Sequence, residues 1–257
     1  MTKDVHGCGA RGAGHNVVPW VNRPNTARPA PARNEVTMTD AELRRQVAAE
    51  LSWDPRVDNE VIEVSADSGT VTLRGTVDNL RQKRAGSKAT ARVRGVIRVA
   101  DELQVQIPGR NQRDDHELRG DVLEALMLDS SVPMTIDARA RDGSVTLTGT
   151  AQWQYQRERA ESRTAEVPGV AFIDNAITLA PTHAAAAGDA GAAITAAFRR
   201  DALLDAGTLS VETFPGGLVV LSGTVGFLIA HDHAVAAAWS APGVMRVDDR
   251  ISVEPRP

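Results

Sequence analysis

Cysteine is almost missing from this 257-residue chain, with Cys8 the only one. An intramolecular disulfide and any multi-cysteine metal site are therefore excluded. Aromatic residues make up only 4%, so a folded core has to be built from Val, Leu, Ile and Ala. No run approaches the roughly 18 consecutive apolar residues that a membrane-spanning helix needs. The catalytic signatures GxSxG, HExxH, the P-loop and the dinucleotide fingerprint are all missing from the region with regular patterning. His231 and His233 flank Asp232. On a helix, positions i and i+2 point to different sides, so these two are poor partners for one metal ion and read as a solvated helix face. Acidic residues fall at caps, turns and helix surfaces, with no pair that has an evident reason for a shifted pKa. Neither an enzyme nor a cofactor or metal is expected.

The first 37 residues lack periodicity. They hold four Gly and four Pro with no helical or alternating apolar pattern, which leaves little to pack. An apolar run of about 7–15 residues, as a secretory signal requires, is missing too. Residues 1–37 are thus expected to be a disordered tail with Cys8 an unpaired thiol. Regular patterning starts right after Met38, which makes Met38 the expected native start and the tail a gene-model extension. Lack of an export signal points to the cytoplasm.

From Met38 onward the chain is one unit written three times. Val71-Thr-Leu-Arg-Gly75-Thr-Val77 recurs as Val145-Thr-Leu-Thr-Gly149-Thr-Ala151 and as Val219-Val-Leu-Ser-Gly223-Thr-Val225, with the glycines 74 residues apart both times. Twenty residues on from each comes a second glycine followed by Val, at Gly95, Gly169 and Gly243. A third block closes each copy: Val99-Ala-Asp-Glu-Leu103, Ile173-Asp-Asn-Ala-Ile177 and Val247-Asp-Asp-Arg-Ile251. The repeat divides the chain into units over residues 38–108, 109–181 and 182–257, with linkers near Pro108–Arg113 and Pro181–Gly188.

Each unit reads as helix, strand, strand, helix, strand. Thr39 and Glu42 have the spacing of a capping box, and Leu43, Val47 and Leu51 share one helical face. Asp114 and Glu117 repeat the cap before Leu118, Val122 and Leu126. The third copy has Asp189 near the cap, then Ile194 and Phe198, a thinner stripe. Two short alternating runs around Asp67-Ser-Gly69, Asp142-Gly143 and Pro215-Gly-Gly217 predict hairpins. Gly75, Gly149 and Gly223 end the second strand, where φ > 0 or close packing favours glycine. A second helix is predicted over about Asn79–Val93, Gln154–Val167 and Leu228–Ala241, with Gly95, Gly169 and Gly243 as C-terminal caps. A right-handed crossover then makes strands two and three parallel. The fold class is α+β: three tandem αββαβ units, each a three-stranded mixed sheet with two helices on one face.

An amphipathic helix, V-x-L-x-G-x-V, about twenty residues to G-V, and V-x-[DN]-x-[IL] together resemble the BON domain. Three copies are similar to the multi-BON, OsmY-like bacterial proteins, from Met38 to about Glu254. The resemblance implies a non-catalytic, stress-associated binding module that attaches to phospholipid surfaces or envelope components. It also supplies a periplasmic alternative to the cytoplasmic expectation.

Net charge is −4, but it is unevenly spread. The tail carries +3 and the three units carry 0, −4 and −3. Within the first unit, Arg81, Lys83, Arg84, Lys88, Arg92, Arg94 and Arg98 run with no acid among them. Arg81, Arg84, Lys88 and Arg92 form one stripe of the second helix. Such a stripe suits anionic lipid headgroups or nucleic-acid phosphates; it equally suits a solvated face whose cations pair with acids elsewhere. Overall acidity and the lack of interleaved aromatics disfavour nucleic acid. A structural array that presents a surface to a protein partner is a further alternative. Trp153 and Tyr155 open the second helix of the second unit, with Phe227 in the matching position of the third. They suit a lipid interface or docking between units. Trp53 is expected to pack in or at the rim of the core.

Overall fold

The computed structural model describes residues 38–180 and 187–254. The expected tail, with Cys8, lies outside them, as does most of the second linker. Among the described residues the chain is α+β, with six α-helices, three three-stranded sheets and one two-stranded sheet.

The first run comprises α1 (Asp40–Trp53), β1 (Ile62–Asp67), β2 (Thr70–Val77), α2 (Leu80–Ala91) and β3 (Arg98–Val105). Thr39 caps α1 by accepting from the Glu42 N–H at 3.2 Å. The capping box is only half made, because the Glu42 carboxylate turns to Arg45 and Gln46 instead. Asn79 caps α2, accepting from the Gln82 N–H at 2.8 Å. β1 and β2 form an antiparallel hairpin, and β2 pairs parallel with β3 over its whole length, Thr70 to Val77 against Arg98 to Val105. Alternate residues Val71, Leu73 and Val77 turn inward and share one core with Leu43, Val47 and Leu51 of α1 and Ala85 and Ala89 of α2. The two helices therefore cover the same sheet face, and small residues on α2 let it approach closely.

The second run comprises α3 (Asp115–Met127), β4 (Asp137–Arg141), β5 (Ser144–Thr148), β6 (Thr150–Ala151), α4 (Gln154–Ala165), β7 (Phe172–Asn175) and β8 (Thr178–Leu179). Here the expected single sheet is split into β4-β5-β7 and a two-stranded β6-β8 pair. The break falls at Gly149 on one strand and at Ala176–Ile177 on the other. Ladder bonds nevertheless continue across it, from Ala176 N–H to the Leu147 carbonyl at 2.9 Å and from Thr178 N–H to the Gly149 carbonyl at 3.0 Å.

The third run comprises α5 (Ala187–Arg200), β9 (Leu209–Phe214), β10 (Leu218–Val225), α6 (Leu228–Trp239) and β11 (Arg246–Val253). α5 already starts at Ala187, so Asp189 lies within the helix rather than at its cap, with a side chain outside the described ones. The third core centres on Ile194, Phe198, Val219, Leu221, Ala234 and Ala238. Phe198 supplies the bulk that the Ala-rich α6 lacks.

The strand-two glycines answer to close approach. Gly75, Gly149 and Gly223 have φ of +137°, +125° and +128°. A Cβ there would sit 2.0, 2.2 and 2.1 Å from the carbonyl oxygens of Val61, Thr135 and Thr208, far inside contact distance. Gly95, Gly169 and Gly243 are not the helix caps expected of them: the second helices end four residues earlier, at Ala91, Ala165 and Trp239, with Arg92, Glu166 and Ser240 as right-handed caps. The glycines, with φ of +90°, +98° and +78°, are the third residues of turns closed from Val96 N–H to the Val93 carbonyl, Val170 to Val167 and Val244 to Ala241, a position that favours glycine.

Candidate functional site

The third-block Asp/Asn has a local task. Asp101, Asn175 and Asp249 each accept, through Oδ1, the N–H two residues on, from Leu103 at 3.1 Å, Ile177 at 3.3 Å and Ile251 at 3.0 Å. From the facing second helix, equivalent residues reach the same point. Lys83 stands 3.6 Å from Asp101 and donates to the Leu103 carbonyl. Arg157 donates to the Asn175 carbonyl at 2.9 Å, and His231 Nε2 meets Asp249 at 2.6 Å. A polar clamp therefore fixes helix two to strand three in every unit.

A second recurring carboxylate ends the first helix. Asp54, Asp129 and Asp201 each accept the N–H two residues on, from Arg56, Ser131 and Leu203. Each also takes a cationic or imidazole partner: Arg56 at 2.6 Å for Asp54, Arg159 at 2.6 Å for Asp129, and His233 at 2.9 Å for Asp201. All three carboxyls are held below the usual carboxylate range. The leading cause is the Arg56 side chain for Asp54, the Ser131 N–H for Asp129, and the His233 bond for Asp201, with burial opposing in each. Sequence reasoning missed both sets, although Asp101, Asn175 and Asp249 recur at the 74-residue spacing and each of the other three follows its helix stripe.

The two histidines are thus engaged rather than merely solvated. His231 is bonded through Nδ1 to Asp232 on its own helix and through Nε2 to Asp249 on β11. Its pKa is raised, first by the Asp232 bond and further by Asp249, against a desolvation that lowers it. A raised pKa means that the pair stabilises fully below the ordinary histidine value of about 6.5 and loses that contribution as pH climbs through the raised value. With the charge-assisted bond discounted for partial exposure to about 1 kcal/mol, the third unit should melt about 4–8 °C higher at pH 6 than at pH 9. His231→Lys, which installs the first unit's residue, should flatten that difference. Thermal melts of both proteins at the two pH values check it, and an unchanged difference in the variant would assign it elsewhere.

The basic stripe of α2 divides in two. Arg92 pairs with Glu50 at 2.9 Å, and Arg84 pairs with Glu161 of α4 at 2.6 Å. Arg81 and Lys88 are exposed and have no ion-pair partner among the described residues. Together with Arg56 and Arg84 they line one wall of a cleft of about 420 Å³, whose other wall is Ser162, Ala165 and Glu166 of the second run. Glu166 is bonded to Arg163 at 2.6 Å. Of the aromatics, Tyr155 is exposed and Trp153 partly buried. Phe227 lies under the Arg94 guanidinium, 5.5 Å from its ring centroid, while neighbouring Leu228 packs on the first core. Trp53, expected to pack, is instead 84% exposed. It stands two residues past Leu51, off the buried stripe, and Asp54 takes the buried position.

Among the described residues no helix is long and apolar enough to cross a membrane, and no cluster of metal-ligating side chains occurs. Over 143 residues the chain is 30% identical to Osmotically-inducible protein Y of Escherichia coli (strain K12), covering 54% of this chain and 71% of that one. Two solved structures show weak similarity. CdsD, a structural protein of the type III secretion system of Chlamydia trachomatis, is 15% identical at a TM-score of 0.23, with 84% of this chain and 93% of that one covered. The periplasmic domain of the type III secretion inner-membrane protein PrgH from S. typhimurium is 13% identical at 0.20, with 76% and 95% covered. Neither likeness bears on function. The family described as BON domain matches at residues 39–107, 114–181 and 188–255. Each match spans one of the three runs, together more than half of the chain, and on that ground the chain belongs to the BON-domain family.

Proposed function

We propose that this protein is a non-catalytic binding module of the osmotic-stress-related BON family that attaches to anionic phospholipid surfaces through the basic face of α2. The observation that carries the reading is the pair Arg81 and Lys88, exposed seven residues apart on one helical face, with no acid partner among the described residues and a cleft beside them. Unpaired cations can give their full interaction to an anion, whereas cations already held by carboxylates first have to exchange partners. No other second helix offers this. The matching helix of the second unit is mixed in charge, and that of the third has no Lys or Arg.

Each near-surface cation contributes about 1 kcal/mol at an anionic membrane. Arg81→Glu/Lys88→Glu should therefore weaken binding to phosphatidylglycerol-containing vesicles at least about 30-fold. Binding to phosphatidylcholine vesicles should be nil for both proteins. Co-sedimentation at low salt, where screening is weakest, makes the measurement. Equal pelleting of wild type and variant would reject the reading.

A further inference from the structure

Arg84 is the one cation of the cleft that crosses from the first run to a carboxylate of the second. Its Nη2 donates to Glu161 Oε1 at 2.6 Å and its Nη1 to the Glu161 carbonyl at 3.3 Å. The remaining carboxylate oxygen, Oε2, accepts from Asn175 Nδ2 at 2.9 Å. Both Arg84 and Glu161 side chains are about one-third exposed, so solvent reaches the pair. Residues that build the unit recur in all three copies, but this pair does not. The positions matching Arg84 are Glu158 and Asp232, and those matching Glu161 are Ser87 and Val235. The ion pair is therefore not required by the fold of a unit; it belongs to the boundary between the first two.

We infer that the Arg84–Glu161 pair is a latch between the first and second BON domains which an anionic headgroup opens by competing for Arg84. The inference rests on the lipid-binding reading. Arg81, Arg84 and Lys88 line one wall of the same cleft, so a phosphodiester held by the two free cations is presented to the third. A guanidinium pairs with phosphate in a planar two-bond geometry at least as well as with a carboxylate that solvent reaches. Glu161 is not orphaned by the exchange, since the Asn175 amide still holds one oxygen and water reaches the other. Nor do the domains fall apart, because Leu80 at the start of α2 stays packed against the second core. Headgroup binding then loosens one edge of the boundary about an apolar contact.

Two measurements test this. Glu161→Gln keeps the size and an acceptor for Asn175 but frees Arg84, so it should tighten binding to phosphatidylglycerol vesicles about threefold to fivefold and leave phosphatidylcholine vesicles unbound. Independently, spin labels at the exposed residues Thr76 and Thr150, in a protein with Cys8→Ser, should report a longer and broader distance distribution on phosphatidylglycerol vesicles, and an unchanged one with phosphatidylcholine. Unchanged affinity in Glu161→Gln with an unchanged distance would overturn the latch. The lipid reading would still stand if Arg81→Glu/Lys88→Glu abolished binding, and would fall with the latch if it did not. Should Glu161→Gln fail to fold by circular dichroism, the distance measurement on the otherwise native chain decides alone.

Discussion

Replacing Gly149 with alanine is expected to destabilise the second domain by about 4 kcal/mol, and replacing Gly120 with alanine is expected to stabilise it by about 0.5–1 kcal/mol. The two glycines belong to the same domain and differ in backbone conformation and in what surrounds them. Gly149 sits at φ +125°, and a Cβ there would meet the Thr135 carbonyl oxygen at 2.2 Å and Ile136 Cα at 3.0 Å. Both neighbours are backbone in the segment that enters β4, held by the Thr135 hydroxyl on the Thr150 carbonyl at 2.6 Å and by Ile136 N–H on the Pro133 carbonyl at 3.2 Å, so relief requires displacing the entry to the strand. Gly120 lies mid-helix in α3 with nothing within 4 Å of such an atom, and alanine there only removes backbone freedom from the unfolded chain. A domain of about 70 residues has a total stability of roughly 4–10 kcal/mol. The first substitution therefore brings the second domain close to unfolding. Hydrogen exchange of the Ser144–Thr148 amides reads this domain alone. Native protection there in Gly149→Ala would show that the Thr135–Ile136 segment yields to the new Cβ with the strands still paired, and would overturn the prediction.

That glycine was legible because its repeat spacing, its place after V-x-L-x and its chemistry all agree. Helix starts were legible for a similar reason, since Thr39, Asn79 and Asp114 are good caps; the ends were not, because Gly95, Gly169 and Gly243 serve a turn that follows the helix and not its last residue. What the string did not disclose is which polar groups meet across elements. Asp101 and Asp249 look like any surface carboxylate until α2 and α6 are laid over β3 and β11, when Lys83 and His231 come into range. His231 and His233 do point to different sides, as i and i+2 must. One faces β11 and the other the end of α5, so each has its own aspartate. Glu161 is one charge in a helix that also holds Arg157, Glu158, Arg159, Arg163 and Glu166. Nothing local singles it out, because its partner is 77 residues away in another domain. The split second sheet was equally hidden, since Val145 to Ala151 follows the same alternation as its unsplit counterparts.

Asp129→Ala should destabilise the second domain markedly, while Asp142→Ala should cost only about 1 kcal/mol, because its backbone sits at φ +48°, where Asp is tolerated better than Ala. Both aspartates are near arginines, so counting ion pairs does not separate them. Asp142 is 92% exposed and lies 3.8 Å from an Arg141 that is equally exposed, which makes the pair worth little in water. Asp129 is 8% exposed and accepts two hydrogen bonds, from the Ser131 N–H at 3.0 Å and Arg159 Nε at 2.6 Å, with Arg163 Nε in ion-pair range at 3.4 Å. That Arg163 nitrogen is itself buried and has no hydrogen bond, so the nearby carboxylate charge is what compensates it. Deleting the carboxylate leaves the buried Arg163 Nε uncompensated and the Ser131 N–H without its acceptor, which is where the cost arises, whereas the half-exposed Arg159 can turn to water. Asp129→Asn retains an acceptor for Ser131 and should lose about half as much. Because the carboxyl is held below its usual range, its contribution is present above the unfolded value of about 3.9 and disappears as pH falls through the folded one. Denaturation of wild type and Asp129→Ala should accordingly differ most near neutrality and converge in acid. Asp54 and Asp201 extend the test to the other two domains. Their side chains are 5% and 25% exposed, so if burial sets the cost, alanine should harm the first domain as much as the second and the third distinctly less. Equal losses in all three would mean that the shared backbone bond, from the N–H two residues on, carries the effect instead of the buried charge.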